Sequence, residues 1–302
     1  MHFTILLAFF EFSRTVVSMC TAGILLFLIA LWAARTDLAQ ASRLDKFVAL
    51  SNLCFALPLA VFGGEHLSAA KFIKLGVPSY MPWPLFWAYF VGFALLAASL
   101  SVATKIEMRW SGLLFGIMMF SFVAMMDIPG VLTNPHARIP WTLLLRELAF
   151  GGGGWILAGN ASHDEDHGQG GSKLIAVGRV LIGIAAIFYG VENSLHTANV
   201  PGVPLEKLMP AWLPAHLLIG WLTSAILVVA GISILVAKKT RTAATYLGTW
   251  IALLVVFIYG PILIAALADP SADKVEALNY FFDTQLFAGA VLALASASPR
   301  TD

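Results

Sequence analysis

Ten polar residues stand inside or at the ends of long apolar stretches: Glu65, His66, Asp127, Arg146, Glu147, Glu192, Asn193, His196, His216 and Asp283. An ionisable group at the middle of a membrane helix costs about 2.5–3.5 kcal/mol on insertion scales, so each needs a reason to be there. Carboxylates and imidazoles can take or give a proton in a sheltered pocket. These ten are therefore the candidate lining of a polar pocket, one in each half of the chain, with no catalytic role assigned to any of them. A structural reading stands beside that one. Arg146 can neutralise Glu65, Asp127 or Glu147 by ion pairing within the bundle, and residues within a turn of a helix end can snorkel to the interface.

Other chemistry finds little footing. His66 and His196 would be haem ligands only if they faced one cavity, but they belong to different halves and no C-x-x-C-H is present, so haem is disfavoured. His163 and His167 have helical i,i+4 spacing, but the segment around them is rich in Gly, Ser and Asn and reads as a linker, so no metal site is assigned. Cys20 and Cys54 lie apart in apolar segments and form no C-x-x-C pair for dithiol exchange. Phosphate-binding, dinucleotide-binding and hydrolase motifs are missing from the sequence. A net charge of +1 with no basic cluster gives no footing to a nucleic-acid partner.

The elements that must position these residues are apolar helices. Of 302 residues 59% are hydrophobic and only 12% charged, which excludes an ordinary soluble domain. Runs of about twenty apolar residues recur, the length that crosses the hydrocarbon core as a helix. The reading is an all-α polytopic membrane protein with about nine transmembrane helices. They are placed at 15–34, 46–65, 84–104, 110–127, 140–159, 173–193, 214–237, 243–268 and 277–297. The segment 1–45 holds an interfacial N-terminal stretch, without the features of a signal peptide, and a leading helix. The glycine run at 151–154 is read as a close-packing device, and 160–172 as the hydrophilic linker between halves. Lys and Arg are more numerous in the loops on one side. That places the C-terminus and linker in the cytoplasm and the N-terminus outside a bacterial or archaeal cytoplasmic membrane.

The halves repeat. The stretch 62–87 ends an apolar helix in Gly64-Glu65-His66 and passes through a proline-broken loop to Met81-Pro82-Trp83-Pro84. The stretch 188–221 does the same with Gly190, Glu192, Asn193 and the knot Met209-Pro210-Ala211-Trp212-Leu213-Pro214. Two four-helix units, 46–159 and 173–298, follow from this. Four spans each make them parallel repeats, related by an axis along the membrane normal. The glutamate- or histidine-ended helix, the Met-Pro-Trp knot and the three following helices resemble the DoxX family of small four-helix membrane proteins, in duplicated form. The resemblance implies an integral subunit of a respiratory or redox complex that anchors a partner protein and lines a quinone site. Such a pocket could suit a quinone head group, with a carboxylate or imidazole beside it. The alternatives are a small-solute transporter and a structural or assembly protein without chemistry.

Overall fold

The computed structural model describes residues 13–165 and 169–299; the expected interfacial stretch before Ser13 lies outside them. The first helix, α1 (Arg14–Gln40), starts where the Ser13 hydroxyl accepts from the Val16 N–H at 3.3 Å. Next come α2 (Asp45–Ala49), α3 (Ser51–Ser68) and the short α4 (Ala70–Ile73), then α5 (Pro84–Thr104). The chain continues through α6 (Met108–Phe122) and α7 (Ile128–Thr133) to α8 (Arg138–Glu165) and α9 (Gln169–Leu195). The last elements are α10 (His216–Leu235), α11 (Thr240–Leu254), α12 (Gly260–Ala268) and α13 (Lys274–Ala297). The described residues contain a single isolated β-bridge, Asn199 to Leu208, and are otherwise helical or looped.

Seven helical runs are long and apolar enough to cross a membrane: α1, α5, α6 with α7, α9, α10, α11 with α12, and α13. An eighth counts if α3 is taken together with α4 and the following turn, from which it is bent by 84°. The remaining long helix, α8, carries Arg146, Glu147 and five glycines among its 28 residues, four of them consecutive. Large apolar side chains such as Ile24, Trp32, Phe93, Leu218 and Phe257 cover the outside, as expected where the surrounding medium is lipid.

Two expectations change in detail. The span expected at 46–65 is broken at Leu50, which separates α2 from α3. The polar stretch from Asn160 stays helical to Glu165, because polar side chains beyond the apolar part of a helix do not stop its backbone hydrogen bonding. Only 166–168, with His167, lie outside the described residues, and the His163 side chain is likewise not described.

The bundle is organised around α13, in which every residue from 282 to 295 is buried. It crosses α8 at the centre; α3 packs on α13 and α9 on α8. Outside these, α5 packs on α3 and α10 on α9, while α6 packs on α8 and α11 on α13. The four consecutive glycines of α8 meet different neighbours. A Cβ on Gly151 would lie 2.6 Å from Phe120, on Gly152 3.2 Å from Gly178, on Gly153 2.6 Å from Ala290, and on Gly154 2.8 Å from the Gly112 carbonyl. Small residues are what let three helices, α6, α9 and α13, approach α8 this closely.

The same local features return at a constant shift of 132 positions, from Met108 of α6 to Thr240 of α11. Trp83 and Ala215, in the left-handed region, precede α5 and α10; Lys105 and Glu107 turn the chain into α6 as Ala237 and Lys239 turn it into α11. Both α6 and α11 end in five-residue π-turns, Val123–Asp127 and Val255–Tyr259, each followed by a proline, Pro129 and Pro261. Gly63 of α3 abuts Leu96 and the Gly92 carbonyl, and Gly190 of α9 abuts Val228 and the Ser224 carbonyl. Gly152 of α8 packs on Gly178 and Leu181 of α9, and Gly289 of α13 packs on Cys54 and Phe55 of α3.

Candidate functional site

Five of the ten candidate residues line one cavity of about 210 Å³ in the first half: Glu65, His66, Arg146, Glu147 and Asp283. α3 supplies Glu65 and His66 at its end, α8 supplies Arg146 and Glu147, and α13 supplies Asp283 with Asn279. The rest of the lining is apolar and aromatic, with Phe62, Phe115, Phe122 and Phe150 among Leu59, Val91 and Leu95.

At the polar end, Arg146 is the hub. Its Nη1 donates to Asp283 Oδ2 at 2.7 Å and its Nη2 to Glu147 Oε1 at 3.2 Å. Asn279 Nδ2 donates to Glu65 Oε1 at 3.2 Å. His66 Nδ1 lies 2.8 Å from the Phe62 carbonyl, so that nitrogen carries the N–H and Nε2 is left for another partner. Asp127, in the π-turn after α6, is within electrostatic reach of Arg146 and Glu147 without lining the cavity. One guanidinium thus serves four carboxyl groups, and the site's charge balances only with protons or a cation shared among them. No cluster with metal-ligand character occurs among the described residues.

Polar atoms are left over. Arg146 Nε, Glu147 Oε2, Asn279 Oδ1 and Asp127 Oδ2 are all buried and make no hydrogen bond. Leaving such a group unsatisfied costs about 1–3 kcal/mol, and more when it is charged. Three of them, on Arg146, Glu147 and Asn279, belong to residues that line the cavity, and the fourth belongs to the neighbouring Asp127.

The second-half candidates are placed differently. Glu192 Oε2 accepts from Arg138 Nε at 2.6 Å and lies 3.4 Å from His196 Nδ1, forming an ion-pair cluster toward the helix end. Asn193 is buried and donates to the Gly202 carbonyl at 3.0 Å. His216 is exposed at the first residue of α10. None of these four lines the first-half cavity.

Sequence reasoning missed Asn279 as a lining residue, and missed Arg138 and Tyr259. An asparagine near a helix start, an arginine at the edge of a loop and a tyrosine in an apolar run give no signal of their own. It also missed a polar crevice of about 510 Å³ at the opposite end of the bundle. That crevice is spanned by the ion pairs Lys105 to Asp37 at 2.6 Å and Arg241 to Asp45 at 2.8 Å. Along α3, Asn52 lines the crevice and Leu59 the first-half cavity, with Phe55 between them in edge-to-face contact with Phe115 at 5.5 Å.

No known family model, curated protein or solved structure matches this chain. The resemblance to DoxX proteins therefore rests on the two glutamate-ended helices and their Met-Pro-Trp knots.

Proposed function

We propose that this protein is a DoxX-like integral membrane subunit of a respiratory or redox complex. In this reading its first-half cavity receives the head group of a lipid-soluble quinone. It comprises nine spans, with α3 to α8 and α9 to α13 as parallel duplicated units behind a leading helix. Its knots face outward and its C-terminus is cytoplasmic. The observation that carries the functional reading is the cavity's mixed lining: four phenylalanines together with Glu65, His66, Arg146, Glu147, Asn279 and Asp283, three of which carry a buried polar atom without a hydrogen-bond partner. A void of about 150 Å³ holds a benzene ring, so one of 210 Å³ has the size for a single substituted ring. A ring carbonyl oxygen would accept from Arg146, a quinol hydroxyl would donate to His66 Nε2, and Glu65, Glu147 or Asp283 would exchange the protons that quinone reduction and quinol oxidation require.

The test is direct. The protein is purified gently from its native membrane, its quinone is extracted and quantified, and the bands that accompany it are identified. Near-stoichiometric quinone in the wild type, reduced several-fold in folded Glu147→Gln, with redox subunits alongside, is the expected result. Quinone at the level of bulk lipid in both proteins would contradict the proposal.

A second reading, transport of a small solute, draws on the two cavities at opposite ends of α3. Asn52 and Leu59 are separated by roughly 10 Å of helix at 1.5 Å per residue, and the Phe55–Phe115 contact lies between them along α3. Solute flux in proteoliposomes that rises when Phe115 is replaced by Ala would favour transport over quinone binding.

A further inference from the structure

We infer that the second half contains a pocket of the same build, and that its occupant is the chain's own Gly202-Val203-Pro204 turn. The inference rests on the duplicated-unit reading and not on the identity of any ligand.

The shifts that superpose the neighbouring glycine contacts bring His66 onto Asn193, Leu95 onto Leu227, Asp127 onto Tyr259 and Glu147 onto Thr284. Three of these four second-half counterparts hold the turn. Asn193 Nδ2 donates to the Gly202 carbonyl at 3.0 Å, and the Tyr259 hydroxyl donates to the Pro201 carbonyl at 3.3 Å. A Cβ on Gly202 would lie 3.1 Å from Thr284 Cγ2 and 3.1 Å from the Tyr259 hydroxyl. With φ at +139° and that little space, the tip of the turn has to be glycine. Val200 and Val203 are 1% and 0% exposed, and Leu227, the counterpart of the cavity-lining Leu95, is 0% exposed.

The loop is built to reach in. Its arms are joined by Val200 N–H to Lys207 carbonyl at 2.8 Å and Met209 N–H to Ala198 carbonyl at 2.8 Å, a short hairpin with Gly202 near its tip. The loop between α3 and α5 also contains a Gly-Val-Pro sequence, Gly76-Val77-Pro78, but there α4 bends away by 84° and none of the three residues is buried. The connection from α9 to α10 is five residues longer than that from α3 to α5, enough to let the turn drop back into the bundle. One chain thus holds the same pocket twice, open in one half and closed by its own turn in the other, where the counterpart of Glu65, Glu192, is paired with Arg138 and Arg138 Nη2 donates to the Pro204 carbonyl at 3.4 Å. The occupant presents two carbonyl oxygens from a compact apolar segment, and the open pocket should take a ligand of that chemistry, one per chain.

Cysteine accessibility tests this without any ligand. In a background carrying Cys20→Ser and Cys54→Ala, Leu95→Cys and Leu227→Cys are each reacted with 2-aminoethyl methanethiosulfonate in detergent. Leu95→Cys is expected to react at least tenfold faster. Replacing 200–204 by Gly-Ser-Gly-Ser-Gly is expected to raise the Leu227→Cys rate toward that of Leu95→Cys. Equal rates with the natural turn, or an unreactive Leu227→Cys in a folded protein lacking it, would overturn the inference. Should the replaced chain fail to fold, hydrogen exchange of the natural protein decides instead. Slow exchange at Val200 and Met209 supports the inserted turn, and exchange as fast as in the 74–80 loop refutes it. A chain that passes these tests yet binds no quinone leaves the inference standing and removes only the proposed ligand.

Discussion

The contact between Arg146 and Asp283 joins two helices 137 positions apart in the chain and lies where α8 crosses α13. The shift that brings Gly152 onto Gly289 also brings Arg146 onto Asp283, so the pair sits on the axis that would relate the two units. Side-chain exposure there is 20% for Arg146 and 8% for Asp283, low enough that loss of either partner strands a charge. Arg146→Leu is expected to destabilise the folded protein by about 3–5 kcal/mol, whereas Arg146→Leu with Asp283→Leu should cost distinctly less than the single change. Thermal unfolding in detergent reads the difference; a double variant as unstable as the sum of the two singles would remove the pair from this role. The ionisable members of the site were legible in the sequence because a charge in an apolar run is conspicuous. Their partners were not: nothing marks Asn279 for Glu65 or Arg138 for Glu192, since pairs of such separation are set by tertiary packing.

At the scale of elements, the glycines divide by what surrounds them. Gly289 faces the backbone of α3, where a Cβ would meet the Phe55 nitrogen at 2.5 Å, and neither helix can yield without opening the core. Gly130 in α7 has open space around it. Gly289→Val is therefore expected to prevent recovery of folded protein, since overpacking costs typically 1–3 kcal/mol even where side chains can shift. Gly130→Ala should leave stability equal or raise it by up to about 1 kcal/mol through helix propensity. Size-exclusion profiles and melting temperatures check both, and a normal profile for Gly289→Val would contradict the packing described. Helix identity and the close-packing purpose of 151–154 could be read from composition, because apolar length and glycine clustering are local properties. The break at Leu50 and the two π-turns could not, as the residues there are as apolar as their neighbours. The acidic stretch after Asn160 looked like a loop because polarity was taken as a helix boundary; a helix protruding from the apolar slab satisfies the same composition.

For the molecule as a whole, the proposed repeat has its sequence signal in the two Met-Pro-Trp knots, while the difference between the two loops that lead into them has none. Both loops carry Gly-Val-Pro, and only the folded arrangement distinguishes a turn buried against Asn193 and Tyr259 from one lifted away by α4. Against the expectation of one polar pocket per half stand the open cavity of the first half and, by our inference, a second-half counterpart filled by the chain's own turn. The measurement that tests this account most directly is titration of a short-chain quinone, decylubiquinone, into the purified protein in lipid nanodiscs, with stoichiometry and affinity read by calorimetry. The account predicts saturation at one quinone per chain, weakened at least tenfold by Glu147→Gln or by Leu95→Trp in the first-half cavity and unchanged by Leu227→Met in the second. No saturable binding, or binding indifferent to the two first-half substitutions, would contradict it.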